Sequence, residues 1–213
     1  MSGNFPPRST HNSEIEVLLT FLQSFIHDRN AVYVSSPITS GRRYIEWVKK
    51  HPGNRSFSGD NQNPEFITNV IEKNREHSKT VIQKMRALFS DEVLIDPTAV
   101  PDISGWNQDD YRYSWGRVIE EYTKVLVLSN DWQFSCGCIY EYLIGKRVGI
   151  KVFDEEQQEI TLERGLRLIR EAINLMKSHD LPVAFHESIC SELVGRKTAE
   201  VQILSLNIPA TQK

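Results

Sequence analysis

Several things are scarce in this chain of 213 residues. It has three cysteines, Cys136, Cys138 and Cys190. That count excludes a disulfide scaffold, and an odd number suits a reduced, cytoplasmic protein. No apolar run approaches the length of about 18 residues that a membrane-spanning helix requires, so no membrane partner is expected. Met1 to Ser13 is polar, with Pro6 and Pro7, and lacks the apolar core of a secretory signal. Positive charge is not in excess: the formal net charge is -3, which argues against a polymeric nucleic acid held through its phosphates. The six histidines are scattered, without the helical spacing of a metal site, so no metal and no cofactor are expected. Gly-x-Gly-x-x-Gly, Gly-x-x-x-x-Gly-Lys-Ser/Thr and the serine nucleophile elbow are all missing. Dinucleotide oxidoreduction, P-loop nucleotide hydrolysis and serine-esterase chemistry therefore lack their usual motifs.

What is present suits one globular domain. Apolar residues make up 39% and charged residues 25% of the chain, enough to fill a core and cover it. Residues 1–13 read as a flexible arm and 14–213 as a single domain, with a core at 31–153 and a helical extension at 154–213. Ser13 is a plausible cap for an amphipathic helix running through Leu18, Leu19, Leu22 and Phe25. Ala31–Ser35 reads as a strand that runs into a loop, Ser36-Pro37-Ile38-Thr39-Ser40-Gly41-Arg42-Arg43. Residues 51–64 read as a long exposed loop. A helix from about Glu65 to Phe89 follows, with a polar centre from Glu72 to Thr80 that is either exposed or a break.

Further strands are expected at 93–97, 124–129 and 147–153, with a short fifth at Pro182–Phe185. Helices are expected at 109–122, 137–146, 162–176 and 187–203. Strands alternating with helices predict an α/β fold with a parallel sheet of about five strands, Rossmann-like or flavodoxin-like, with extra N- and C-terminal helices. Ligands of such sheets bind beyond the carboxyl ends of the strands. Two loops leaving those ends carry chemistry.

One is Asn130-Asp131-Trp132-Gln133-Phe134-Ser135-Cys136-Gly137. Ser135 is a natural N-cap, and the free N–H groups and dipole of the following helix favour an anion. Glu141 lies about one turn further along, on the face of Gly137 and Cys138. On spacing alone, a capped helix with a surface Glu accounts for this segment. The other is the loop after Tyr33, with hydroxyls, Gly41 and the Arg42 guanidinium, a phosphate-binding group. Alone it reads as a polar turn. Cys136 and Cys138 read as buried reduced thiols. Trp106, Trp115 and Trp132 could stack on a base, though a core role is commoner for such residues.

In this order, Tyr33 to Arg42 followed by Ser135-x-Gly137-x-x-x-Glu141, and then Gly145-Lys146-Arg147-Val148, the chain resembles the nucleoside 2-deoxyribosyltransferase superfamily over residues 31–153. The closest branch is the one that cleaves nucleoside 5′-monophosphates. The resemblance implies an N-glycosidase acting on a nucleoside or nucleoside 5′-monophosphate, with sugar transfer to a second base as a variant. It implies Glu141 as nucleophile, oriented by Tyr33. Ser36, Gly41, Arg42, Ser135 and Gly137 would hold the phosphate or 5′-hydroxyl, with Asp131 and Trp132 near the ligand. An acid beside the base is also implied; Asp96, Asp109 and Asp110 all qualify, and Asp110 is carried as the working assignment. Family members are commonly homodimers or larger. The residues at 136 and 138 depart from the small or aliphatic ones usual there. Some proteins of the wider superfamily are ligand sensors, so a nucleotide-binding module without turnover is the alternative expectation.

Overall fold

The computed structural model describes residues 11–51 and 63–206, with side chains described as far as residue 196. Four strands form one sheet: β1 (Ala31–Ser35), β2 (Val93–Ile95), β3 (Thr123–Leu128) and β4 (Lys151–Asp154). Their order is β2-β1-β3-β4, and every pairing is parallel. Tyr33 sits opposite Ile95 on one side and Leu126 on the other, at the centre of the sheet. The chain steps from β1 to β2 in one direction and from β3 to β4 in the other. The crevice between the loops leaving β1 and β3 is therefore the topological switch point, where such sheets bind ligands.

Both sheet faces are covered, as a parallel sheet requires. Period-two alternation sends Val32, Val34, Val125 and Val127 to the face packed by Val81, Ile82 and Met85. Those three belong to α4 (Lys73–Leu88). Tyr33, Leu126 and Leu128 point to the opposite face. There they meet α5 (Gln108–Tyr122) and α6 (Cys136–Arg147). α6 is buried almost all round, from Cys138 to Gly145. α1 (Asn12–Gln23) packs Ile15 and Leu19 inward, and Tyr122 ties to it by donating to the Leu19 carbonyl at 3.0 Å.

The sheet has four strands, not about five. Pro182, without an N–H to pair, lies outside any strand, and α8 (Ala184–Leu206) takes up Ala184 and Phe185. The last strand also starts later than the sequence predicts. α6 continues through Arg147, and Gly149 at φ 73° turns the chain before β4. The loop expected up to Arg43 is shorter: α2 (Arg42–Lys50) begins directly after Gly41. The first helix is entered from His11, so Ser13 lies inside it and not at its cap. Residues 1–10 of the expected arm, and 52–62 of the expected loop, lie outside the described residues.

The long helix after that loop is not broken. Asn63 caps α3 (Pro64–Phe66), which runs through a π-helical segment (Ile67–Glu72) into α4. Its polar centre is partly buried because Asn74 donates to the carbonyls of Ile38 at 2.8 Å and Ser40 at 2.9 Å. A polar residue in that helix thus anchors the loop after β1. α7 (Leu162–Lys177) completes the α6–α8 side, with Thr161 as its N-cap. No helix among the described residues is long and apolar enough to cross a membrane.

Candidate active site

β3 ends at the switch point, and a short turn (Trp132–Phe134) leads into α6. Ser135 caps the helix, its Oγ accepting from the Cys138 N–H at 3.4 Å. Six residues after that cap, Glu141 reaches back towards the sheet and is 9% exposed. The Tyr33 hydroxyl, fully buried on β1, donates to Glu141 Oε1 at 2.6 Å. The spacing is that of a short, charge-assisted bond. Trp115 on α5 stands edge-on to the Tyr33 ring, with centroids 6.2 Å apart, and limits its movement.

Burial raises the Glu141 carboxyl to about 7, against the opposing pull of the Ser35 and Tyr33 hydroxyls. Tyr33 is pushed well above the usual phenol value, first by burial and then by the neighbouring Glu141. It therefore remains a neutral donor. Cys138 is held as a thiol, with burial pushing it up to about 12. A carboxyl poised near neutrality in a helix beside the central strand is more often found at functional sites than elsewhere.

Glu141 opens onto a cavity of about 460 Å³. Gly137 forms part of its wall beside Glu141, and Ser36, Ile38 and Thr39 contribute from the loop after β1. Thr98 and Asp102 come from the segment after β2. Among the described residues, Arg75 of α4 and Arg112 of α5 are its guanidinium groups. Arg112 also bonds Asp109 at 2.5 Å and lies over the Phe185 ring, 5.0 Å from the centroid, which pre-orders it. The volume is ample for a mononucleotide-sized ligand.

Ser36, Gly137 and Glu141 of the predicted residues line this cavity, with Tyr33 immediately behind Glu141. Arg42 and Asp131 line a different, smaller hollow of about 280 Å³. There they clasp each other: Arg42 donates from its backbone N–H to Asp131 Oδ2 at 3.0 Å and from Nε to Oδ1 at 3.2 Å. Gly41, at φ 92°, passes so close that a Cβ there would stand 3.3 Å from Asp131 Cβ. This pair joins the loop after β1 to the loop after β3.

Trp132 is 3% exposed and packs on Tyr142 at 4.8 Å between centroids, so its ring belongs to the core. Asp110 is 2% exposed and completes a capping box, accepting from the Asn107 N–H at 2.8 Å. Asp96 caps the turn after β2 by accepting from the Thr98 N–H at 3.0 Å. Among the described residues, the carboxylate lining the cavity besides Glu141 is Asp102. It sits in a loop without pattern, so sequence reasoning passes over it. The face Gln108, Arg112 and Trp115 is different: it follows helical spacing on a helix the sequence does predict, and that periodicity could have found Arg112.

No protein-family model matches the chain, and no curated protein or solved structure matches it either.

Proposed function

We propose that this protein is an N-glycosidase that cleaves the base–sugar bond of a nucleoside 5′-monophosphate or nucleoside, with Glu141 as nucleophile. The observation that carries the reading is the buried Tyr33–Glu141 pair, 2.6 Å apart, at the edge of a nucleotide-sized cavity on the carboxyl side of the sheet. A carboxylate stripped of water and held by one phenol is a competent nucleophile towards a sugar C1′ of oxocarbenium character. One Glu141 oxygen bonds to C1′ as the C1′–N bond breaks, and the base leaves with that electron pair and gains a proton. Water then adds to C1′, breaks the ester, and restores the carboxylate with release of a proton. An acceptor base in place of water would give sugar transfer.

The supporting parts in this reading differ from sequence expectation. Arg75 and Arg112 are the guanidinium groups that face Glu141's cavity, so they, with the Gly137 N–H, are the groups for a phosphate. Arg42 acts on Asp131 instead. Asp102, which lines the same cavity, is the carboxylate this reading gives to the leaving base, whereas Asp110 is committed to its helix cap. Attack requires ionised Glu141, so kcat/KM rises with pH through about 7.

The test is incubation with a panel of ribo- and deoxyribonucleosides and their 5′-monophosphates, followed by chromatography for free base. Release by the wild type and not by Glu141→Gln supports the reading. Saturable binding without release from any member would make the protein a nucleotide-binding module without turnover.

A further inference from the structure

Ser35 closes β1 two residues after Tyr33, and so shares the face that looks at α6. Its backbone is fixed in the sheet opposite Leu128, and its carbonyl accepts the Ser129 N–H at 2.9 Å. The residue is 1% exposed. Its hydroxyl is sealed from solvent and makes no well-formed hydrogen bond among the described residues, although it lies close enough to the Glu141 carboxyl to favour its charged form. Leaving such a group unsatisfied is costly, and alanine would fill the same space without that cost. The backbone pairing of β1 makes no use of the hydroxyl.

Two polar neighbours lie within its influence: the Glu141 carboxyl and the Cys138 thiol. The thiol stays protonated and gains little from a donor. The carboxyl gains a great deal when it loses its proton, because a charged acceptor in a dry site strengthens every bond made to it. Tyr33 already occupies Oε1. We propose that Ser35 is a positioning residue for Glu141, its hydroxyl rotating to donate to the carboxylate once that group is ionised. Two donors from one strand, Tyr33 and Ser35, then fix the plane of the carboxylate and aim its free lone pairs into the cavity.

Other groups around Glu141 are accounted for separately. Cys138 on α6 raises Tyr33 electrostatically, as does Asp96 beyond β2. Arg75 from α4, Asp102 from the loop after β2 and Arg112 from α5 line the same cavity. Of all these, Tyr33 and Ser35 are the two that favour its charged form by hydrogen bonding. The kinetic consequence rests on Glu141 being the nucleophile; the effect on its ionisation does not.

The experiment is a ligand-free titration of the Glu141 carboxyl in the full chain, by infrared difference spectroscopy with Glu141→Gln as the blank. Wild type, Ser35→Ala, Ser35→Cys and Ser35→Thr are compared, each checked for folding by its thermal midpoint. The expected result is a midpoint near 7 in the wild type, higher by about one unit in Ser35→Ala, a tenfold effect. Ser35→Cys, a weak donor of similar size, should fall between, and also serves if the alanine variant does not fold. Ser35→Thr, which keeps the hydroxyl, should restore the wild-type midpoint. If base release occurs, the acid limb of its pH profile should move by the same amount with KM little changed. Folded Ser35→Ala and Ser35→Cys that titrate as the wild type does overturn the proposal. A shifted midpoint in a protein that releases no base upholds it while removing the glycosidase reading.

Discussion

Glu141 holds its proton more tightly in the folded chain than in water, at about 7 against an ordinary 4.5. Between those two values the folded state binds the extra proton, so stability falls as pH rises through this window and levels off above it. The difference corresponds to roughly 3 kcal/mol. Glu141→Gln should therefore melt several degrees above the wild type at pH 8, with the gap closing towards pH 5, as thermal unfolding across that range would show. Tyr33→Phe removes the donor at Oε1 and should lower kcat by about 10- to 100-fold, the worth of a hydrogen bond to a charged group, while moving the acid limb to higher pH. At this scale the sequence places Tyr33 on a strand and Glu141 in a capped helix, but spacing alone reads Glu141 as a surface residue, and its burial against Tyr33 is expected only from the resemblance. The Arg42–Asp131 pair is not legible. It depends on Asp131 adopting φ 66°, which turns its carboxylate onto the Arg42 N–H, and on Gly41 allowing the approach.

Elements are held in place by a few such contacts. The loop after β1 supplies Ser36, Ile38 and Thr39 to the cavity, and it is tied down from two sides, by Asp131 and by Asn74. Asp131→Ala should raise KM for the nucleotide several-fold with a smaller effect on kcat, since it loosens a cavity wall and leaves Tyr33–Glu141 untouched. Gly41→Ala meets both a positive φ and the Asp131 contact at 3.3 Å. It should cost about 1–3 kcal/mol in a urea titration. A tighter constraint operates between α6 and α7, where a Cβ at Gly165 would stand 2.0 Å from the Tyr142 hydroxyl. That hydroxyl donates to the Thr161 carbonyl at 3.0 Å, so Gly165→Ala would have to break the bond or part the helices. Hydrophobic periodicity makes α5, α6 and α7 readable from sequence. It misreads 182–185, where a short apolar run beside a proline looks the same in a strand as at the start of a helix. It also misses α2, whose Tyr44, Ile45, Trp47 and Val48 are buried behind a loop that draws attention to its hydroxyls.

For the molecule as a whole, the parallel sheet decides where chemistry can occur. Its order β2-β1-β3-β4 opens the crevice at the carboxyl ends of β1 and β3, and both loops that the sequence marks leave from there. The sequence therefore shows the location of the site more clearly than its membership. Strand ends are local features, but the walls of the cavity come from α4, α5 and the segment after β2, brought together only by packing. Arg75, Asp102 and Arg112 enter by that route. Replacing both arginines, Arg75→Ala with Arg112→Ala, should weaken binding of a 5′-monophosphate far more than that of the matching nucleoside, as isothermal titration would measure. Base release by the wild type and by Glu141→Gln, side by side at pH 8 on nucleoside 5′-monophosphates, tests the role of Glu141 most directly. Catalysis by Glu141 should give release by the wild type and a loss of about a thousandfold or more in a variant that still folds and still binds, in the range seen when transition-state charge loses its partner. Equal release by both proteins would contradict it.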